Sequence, residues 1–147
     1  MKKVSLSKLV GGLLAKDAVP VNPWHPERKP YPRLLDLNAA TEGLNGQRGI
    51  YAVWHLGVRP QWLRVGAAAS LGAALNGLAR QPWVAQHHNN AGVFVAWAFV
   101  APEQCAGTVR YLAEKLKPAF QAEAYDGDLP VDPVATLISI MLPPGTR

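Results

Sequence analysis

The chain reads as an α/β fold: a small mixed β-sheet, made of a hairpin and a central strand, flanked by helices. An N-terminal helix and a proline-rich arm precede it. Three observations predict this. Residues 48–56 and 61–66 are two β-rich runs joined by the turn Gly57-Val58-Arg59-Pro60, the pattern of a hairpin. Residues 67–80, rich in Ala and Leu, read as a helix, with Leu71, Ala74, Leu75 and Leu78 on one face. Residues 93–100 form a strongly apolar strand, and Pro102 then opens a further helix. The order helix, loop, ββα, β, α, β gives a sheet with helices packed on it.

Taken in order, Ser5 or Ser7 caps a first helix running to about Lys16, with Leu6, Leu9, Val10, Leu13 and Leu14 at helical spacing. Residues 19–32 carry Pro20, Pro23, Pro26, Pro30 and Pro32. Proline lacks a backbone donor and restricts the residue before it, so an extended connector with neither ladder nor helix is expected. Trp24 and Tyr31 pin it to the body. A short helix is expected from Leu34 to Glu42 or Leu44, then a turn at Asn45-Gly46. The strand at 93–100 is apolar on both faces, which places it centrally, and Gln86 to Asn90 before it reads as a polar loop. The helix opened by Pro102 ends at Pro118, with Val109, Leu112, Ala113 and Leu116 as its buried seam and Phe120 continuing it. Residues 124–133 are an acidic turn region, and 137–142 a last strand before Pro143-Pro144. The chain divides into an N-terminal helix and basic arm, 1–45, packed on a core, 46–147.

Composition narrows the function classes. The 147 residues suit one domain, with 49% hydrophobic and 17% charged residues. No apolar run reaches the ~18 residues of a membrane span, and the stretch from Val4 to Leu14 is too short, so no membrane partner is expected. A single cysteine, Cys105, excludes an internal disulfide and a cysteine-based zinc cluster. It fits a reducing compartment, and a cytoplasmic location is expected. Residues 1–80 carry 11 Lys and Arg against 4 Asp and Glu, whereas 81–147 carry 4 against 6. That asymmetry suits an anionic partner, nucleic acid first, or it serves solubility alone.

Gly49-Ile50-Tyr51 opens the hairpin's first strand, and Val65-Gly66 closes its second. With the Ala-Leu helix and the later helix ending Leu116-Lys117-Pro118, residues 46–142 resemble the core of the GIY-YIG nucleases. The resemblance implies that Tyr51 matches the first tyrosine, which orders or activates the attacking water. The second motif's tyrosine falls on Arg64. The family's helical arginine falls near Ala74, its metal-binding glutamate near Val109 and its late asparagine near Met141. Between Glu42 and Glu103 the chain has no acidic residue, and its cations there are Arg48, Arg59, Arg64 and Arg80. Hard cations take oxygen ligands, so the resemblance implies a nuclease fold without its metal site.

Three functions follow. The first is a catalytically degenerate domain that binds nucleic acid, DNA before RNA, or docks in a complex handling it. Its contacts would be Arg48, Tyr51, Arg59, Arg64 and Arg80, with Arg28, Lys29 and Arg33 of the arm; it needs no cofactor. Phosphate contacts require only positioned cations. The second is an active endonuclease using Mg²⁺ or Mn²⁺ with relocated residues, Tyr51, Arg64 and Glu103; a carboxylate within reach of Tyr51 would overturn the first reading in its favour. The third is an interaction subunit whose Ala-rich helix and tryptophans meet a protein. Trp54 and Trp62 either stack on bases or pack a helix on the sheet. The stretch His87-His88-Asn89-Asn90 reads as an exposed loop, Cys105 as a packing cysteine, and Glu114 as a surface partner of Arg110 and Lys117.

Overall fold

The computed structural model describes residues 22–27, 30–56, 59–88, 92–121, 125, 127–130 and 132–143. The expected first helix, Arg28, Lys29, Gly57, Val58, Asn89 and Asn90 lie outside them. The chain is α/β. Strand β1 (Gly49–His55) pairs antiparallel with β2 (Gln61–Ala68) and, on its other side, with β3 (Val93–Ala98), giving the order β2-β1-β3. Helices α1 (Leu71–Leu78) and α2 (Pro82–His88) join β2 to β3, and α3 (Pro102–Leu116) follows.

Period-2 alternation along β1 builds two cores. Tyr51 and Val53 face one cluster, with Leu71, Leu75 and Leu78 of α1 and Trp83 and Val84 of α2. Ile50, Ala52 and Trp54 face the other, with Trp24 and with Cys105, Val109 and Leu112 of α3. Both faces of the sheet are therefore covered. This corrects the reading of the 93–100 run: β3 is an edge strand and β1 is central, because apolarity on both sides reports two covered faces rather than a middle position.

The sheet's edges are capped by irregular chain, which removes the open ladder that an edge strand otherwise presents. On β3, His25 and Trp97 exchange backbone hydrogen bonds of 2.7 and 3.1 Å, and Val95 N–H donates to the Pro32 carbonyl at 3.1 Å. The arm thus makes ladder contacts that its prolines argued against; the prolines leave the donors of His25 and the acceptor of Pro32 intact. On β2, Ala119 and Phe120 donate to the carbonyls of Trp62 and Leu63 at 3.1 and 2.8 Å, and Leu129 donates to Ala67 at 2.7 Å. Between them the Gln121 amide bonds both Val65 N–H and Val65 carbonyl, at 3.0 and 2.8 Å, as a strand residue would.

With both edges taken, residues 137–142 find no strand to pair with and form none. Instead Ile138 donates to the Gly107 carbonyl of α3 at 3.2 Å, and the Met141 carbonyl accepts from Trp24 Nε1 at 2.6 Å. Other boundaries shift for local reasons. Ala67 and Ala68 stay in β2, and α1 starts at Leu71 because Ser70 caps it, accepting from Ala73 N–H at 3.3 Å. Pro82 ends one helix and, at the first position of the next, begins another, so His87 and its neighbours are helical rather than looped. The expected helix after Leu34 shrinks to a 3₁₀ turn, Leu34–Asp36. There the Asn38 side chain takes Thr41 N–H at 3.1 Å, a local bond that competes with helix. Phe120 does not extend the α3 seam; it crosses β2 and stacks on Trp83 of α2, with centroids 4.4 Å apart.

Candidate functional site

Tyr51 sits mid-way along the central strand, opposite Gly66 in the register. A Cβ on Gly66 would lie 2.5 Å from the Tyr51 hydroxyl, so glycine is what lets the ring lie across β2. Arg64, two residues earlier, is on the same side, and it is only 2% exposed. An arginine in an apolar strand must find a partner once desolvated. That partner is Asp128, which bonds Arg64 Nη2 at 2.5 Å, the two side chains being 3% and 8% exposed.

The three side chains hydrogen-bond one another. The Tyr51 hydroxyl donates to the Asp128 carboxylate, 2.8 Å from Oδ2 and 3.0 Å from Oδ1, and accepts from Arg64 Nε at 3.0 Å. Arg64 Nη1 donates to the Phe120 carbonyl at 2.8 Å, and the guanidinium lies 4.4 Å from the centre of the Tyr125 ring. Tyr125 in turn accepts from Trp83 Nε1 at 2.8 Å. The set therefore ties the segment after α3 to the sheet at several points.

Burial first, and the Asp128 charge second, push the Tyr51 hydroxyl far above the ordinary tyrosine range. Burial works against the Arg64 charge, but Tyr51 and Asp128 outweigh it and hold the guanidinium firmly protonated. Tyr51 is therefore a neutral donor whose proton is committed to Asp128, and with no exposed surface it meets no bulk water.

This has a consequence at high pH. Below about pH 10 tyrosine is protonated in both folded and unfolded chains. Above it the unfolded Tyr51 loses its proton while the folded one keeps it, so the folded state binds more protons and stability falls as pH rises. The limiting slope is about 1.4 kcal/mol per pH unit. Denaturant titrations between pH 9 and 11 are expected to show this loss in the wild type and a shallower one in Tyr51→Phe.

The other predicted residues are dispersed. Arg48 is exposed just before β1 and Arg59 in the turn beyond it. The seven residues of β1 between them put the two about 20 Å apart, so they do not share one patch. Arg80 is exposed after α1, and Arg33 is exposed with its guanidinium 5.7 Å from the Phe94 ring centre. Arg64 is inside, a correction to its reading as a surface phosphate contact. Glu103 is exposed on α3, which covers the sheet face opposite Tyr51, so it is not the carboxylate that reaches the tyrosine. Val109, at the place aligned with a metal-binding glutamate, is buried in the apolar cluster. Glu114 does pair with Arg110, at 3.3 Å.

The tryptophans are spent on the domain itself. Trp24, Trp54, Trp83 and Trp97 are all buried, and Trp62 packs edge-on to Trp54 at 5.5 Å. Trp54 is not open to base stacking, and Trp62 alone of the five keeps part of its surface. His87 lies beside His55, with ring centres 4.8 Å apart, and bonds the Trp83 carbonyl through Nδ1 at 2.7 Å. Cys105 is buried, and that burial pushes its thiol up. Among the described residues no three His, Cys, Asp or Glu side chains come together as a metal site, and no helix is long and apolar enough to cross a membrane.

No family model, curated protein or solved structure matches the chain. The residue that sequence reasoning missed is Asp128. It lies 64 positions from Arg64, in a stretch read only as an acidic turn. The one signal that pointed to it was Arg64 itself, a charge set inside the apolar run from Leu63 to Ala69.

Proposed function

We propose that this chain is a GIY-YIG-like domain without metal-dependent cleavage, which binds nucleic acid or docks in a complex handling it. The observation that supports this most is the Arg64–Asp128 pair. A carboxylate does reach Tyr51, but a guanidinium already neutralises it, and a carboxylate so engaged is a poor ligand for a hard cation. The binding contacts are then the exposed arginines, Arg33, Arg48, Arg59 and Arg80, with Arg28 and Lys29 of the arm. Tyr51 and Arg64 drop out of that set and hold the domain together instead.

Scattered cations bind phosphate weakly and without regard to sequence. Three or four phosphate contacts give a slope of about −3 in log affinity against log salt for duplex DNA. Arg59→Glu combined with Arg80→Glu is expected to lower affinity at low salt and flatten that slope by about 2, as read by fluorescence anisotropy. Salt-independent affinity, or none at low ionic strength, would remove nucleic acid as the partner.

A second reading is favoured by one distance. The Asp128 carboxylate lies 2.8 Å from the Tyr51 hydroxyl, so an active endonuclease with Tyr51, Arg64 and Asp128 at its centre is the alternative. It would need Mg²⁺ or Mn²⁺, and Arg64 would have to swing off Asp128 to admit it.

A further inference from the structure

Between α3, β2 and residues 128–130, 132 and 133 lies a cavity of about 270 Å³. We propose that it binds a neutral one- or two-ring heteroaromatic molecule that donates a ring N–H to Asp128.

Three features of the cavity define that ligand. Its walls are mostly apolar, with Val109 and Ala106 of α3, Ala67 of β2, and Leu129 and Pro130 across from them. The small alanines and Gly66 leave flat faces against which a ring can lie. A cavity of about 150 Å³ holds benzene, so this one has room for a second ring. Its charged lining residues are Arg64, Arg110, Asp128 and Asp132, two of each sign, so the wall favours neither an anion nor a cation. Arg110 is further engaged by Glu114 and by the Ala135 carbonyl, at 3.3 and 2.6 Å. The polar end is Asp128, whose Oδ2 is held by Arg64 and Tyr51, while among the described residues Oδ1 receives the longer contact from Tyr51 alone, 3.0 Å. A carboxylate oxygen has two acceptor positions, so Oδ1 can take one N–H more. Hydrogen bonding to an apolar-walled pocket through one placed acceptor is the usual design of a small-molecule site.

The inference is independent of nucleic-acid binding. It is tested on the full chain with indole and 1-methylindole, which have the same ring system and differ in the N–H. Binding is followed by titration calorimetry and by the alkylation rate of Cys105, the one thiol of the chain and part of the cavity wall. Indole is expected to bind and to slow alkylation, and 1-methylindole to bind at least about tenfold more weakly, since a hydrogen bond to a charged acceptor is lost. Ala106→Phe, which places a ring in the cavity, is expected to abolish indole binding while the circular dichroism stays unchanged. Absence of indole binding, equal affinity for the two probes, or full affinity in a folded Ala106→Phe would each overturn the proposal.

Discussion

Asp128→Ala is expected to destabilise the domain by about 3–5 kcal/mol, since it leaves the Arg64 guanidinium buried without its counter-charge. The reason lies in the arrangement: Arg64 is 2% exposed, and water cannot replace the lost carboxylate. Urea unfolding measures the loss as a shift in midpoint. Two companions separate the ion pair from general damage. Arg64→Met, the reverse truncation, should cost a similar amount by stranding Asp128. Arg64→Met with Asp128→Leu should recover most of the stability, because replacing a buried pair with apolar groups is often neutral or better. If the double variant were as unstable as the sum of the singles, the pair would not be the tether described.

Trp24→Ala is expected to cost about 3–5 kcal/mol, as for other fully buried aromatic truncations. Trp24 has no exposed surface, belongs to the cluster on the α3 side of the sheet, and donates to the Met141 carbonyl. It anchors two segments that have no regular structure of their own, the arm along β3 and the segment after Asp132. Hydrogen exchange should therefore report two changes together: faster exchange at Trp97 and His25, which share the arm's ladder, and at Ile138, which leans on α3. A loss confined to the arm would show that the later segment is held by other contacts.

How much of this was legible in sequence depends on the range of the interaction. Gly49-Ile50-Tyr51 and Val65-Gly66 carry local alternation and turn chemistry, and the hairpin is where they place it. The helix opened by Pro102 likewise follows from a proline at its first position and an apolar seam. Strand β3 was visible as a strand but not as an edge, because the side chains record how many faces are covered and not which neighbours pair. The last strand was not foreseeable as absent: nothing in residues 137–142 reveals that Gln121 and His25 have already closed the two edges. The site shows the same limit. Tyr51 was legible through the hairpin, and Arg64 as an oddity within it. Asp128 was not, since a partner 64 residues away leaves no local pattern. The acid-free stretch around the hairpin is real, but the carboxylate that completes the cluster arrives from beyond α3.

That carboxylate also frames the main question, because the same three residues describe either a tether or a reaction centre. A Tyr51–Arg64–Asp128 set in which the tyrosine has no exposed surface argues for the tether. The direct measurement is cleavage of supercoiled plasmid by the full chain in Mg²⁺ and in Mn²⁺, beside Tyr51→Phe shown to be folded by circular dichroism. A tether gives no metal-dependent nicking by either protein. Nicking by the wild type that vanishes in folded Tyr51→Phe would contradict it and make Tyr51, Arg64 and Asp128 an active site.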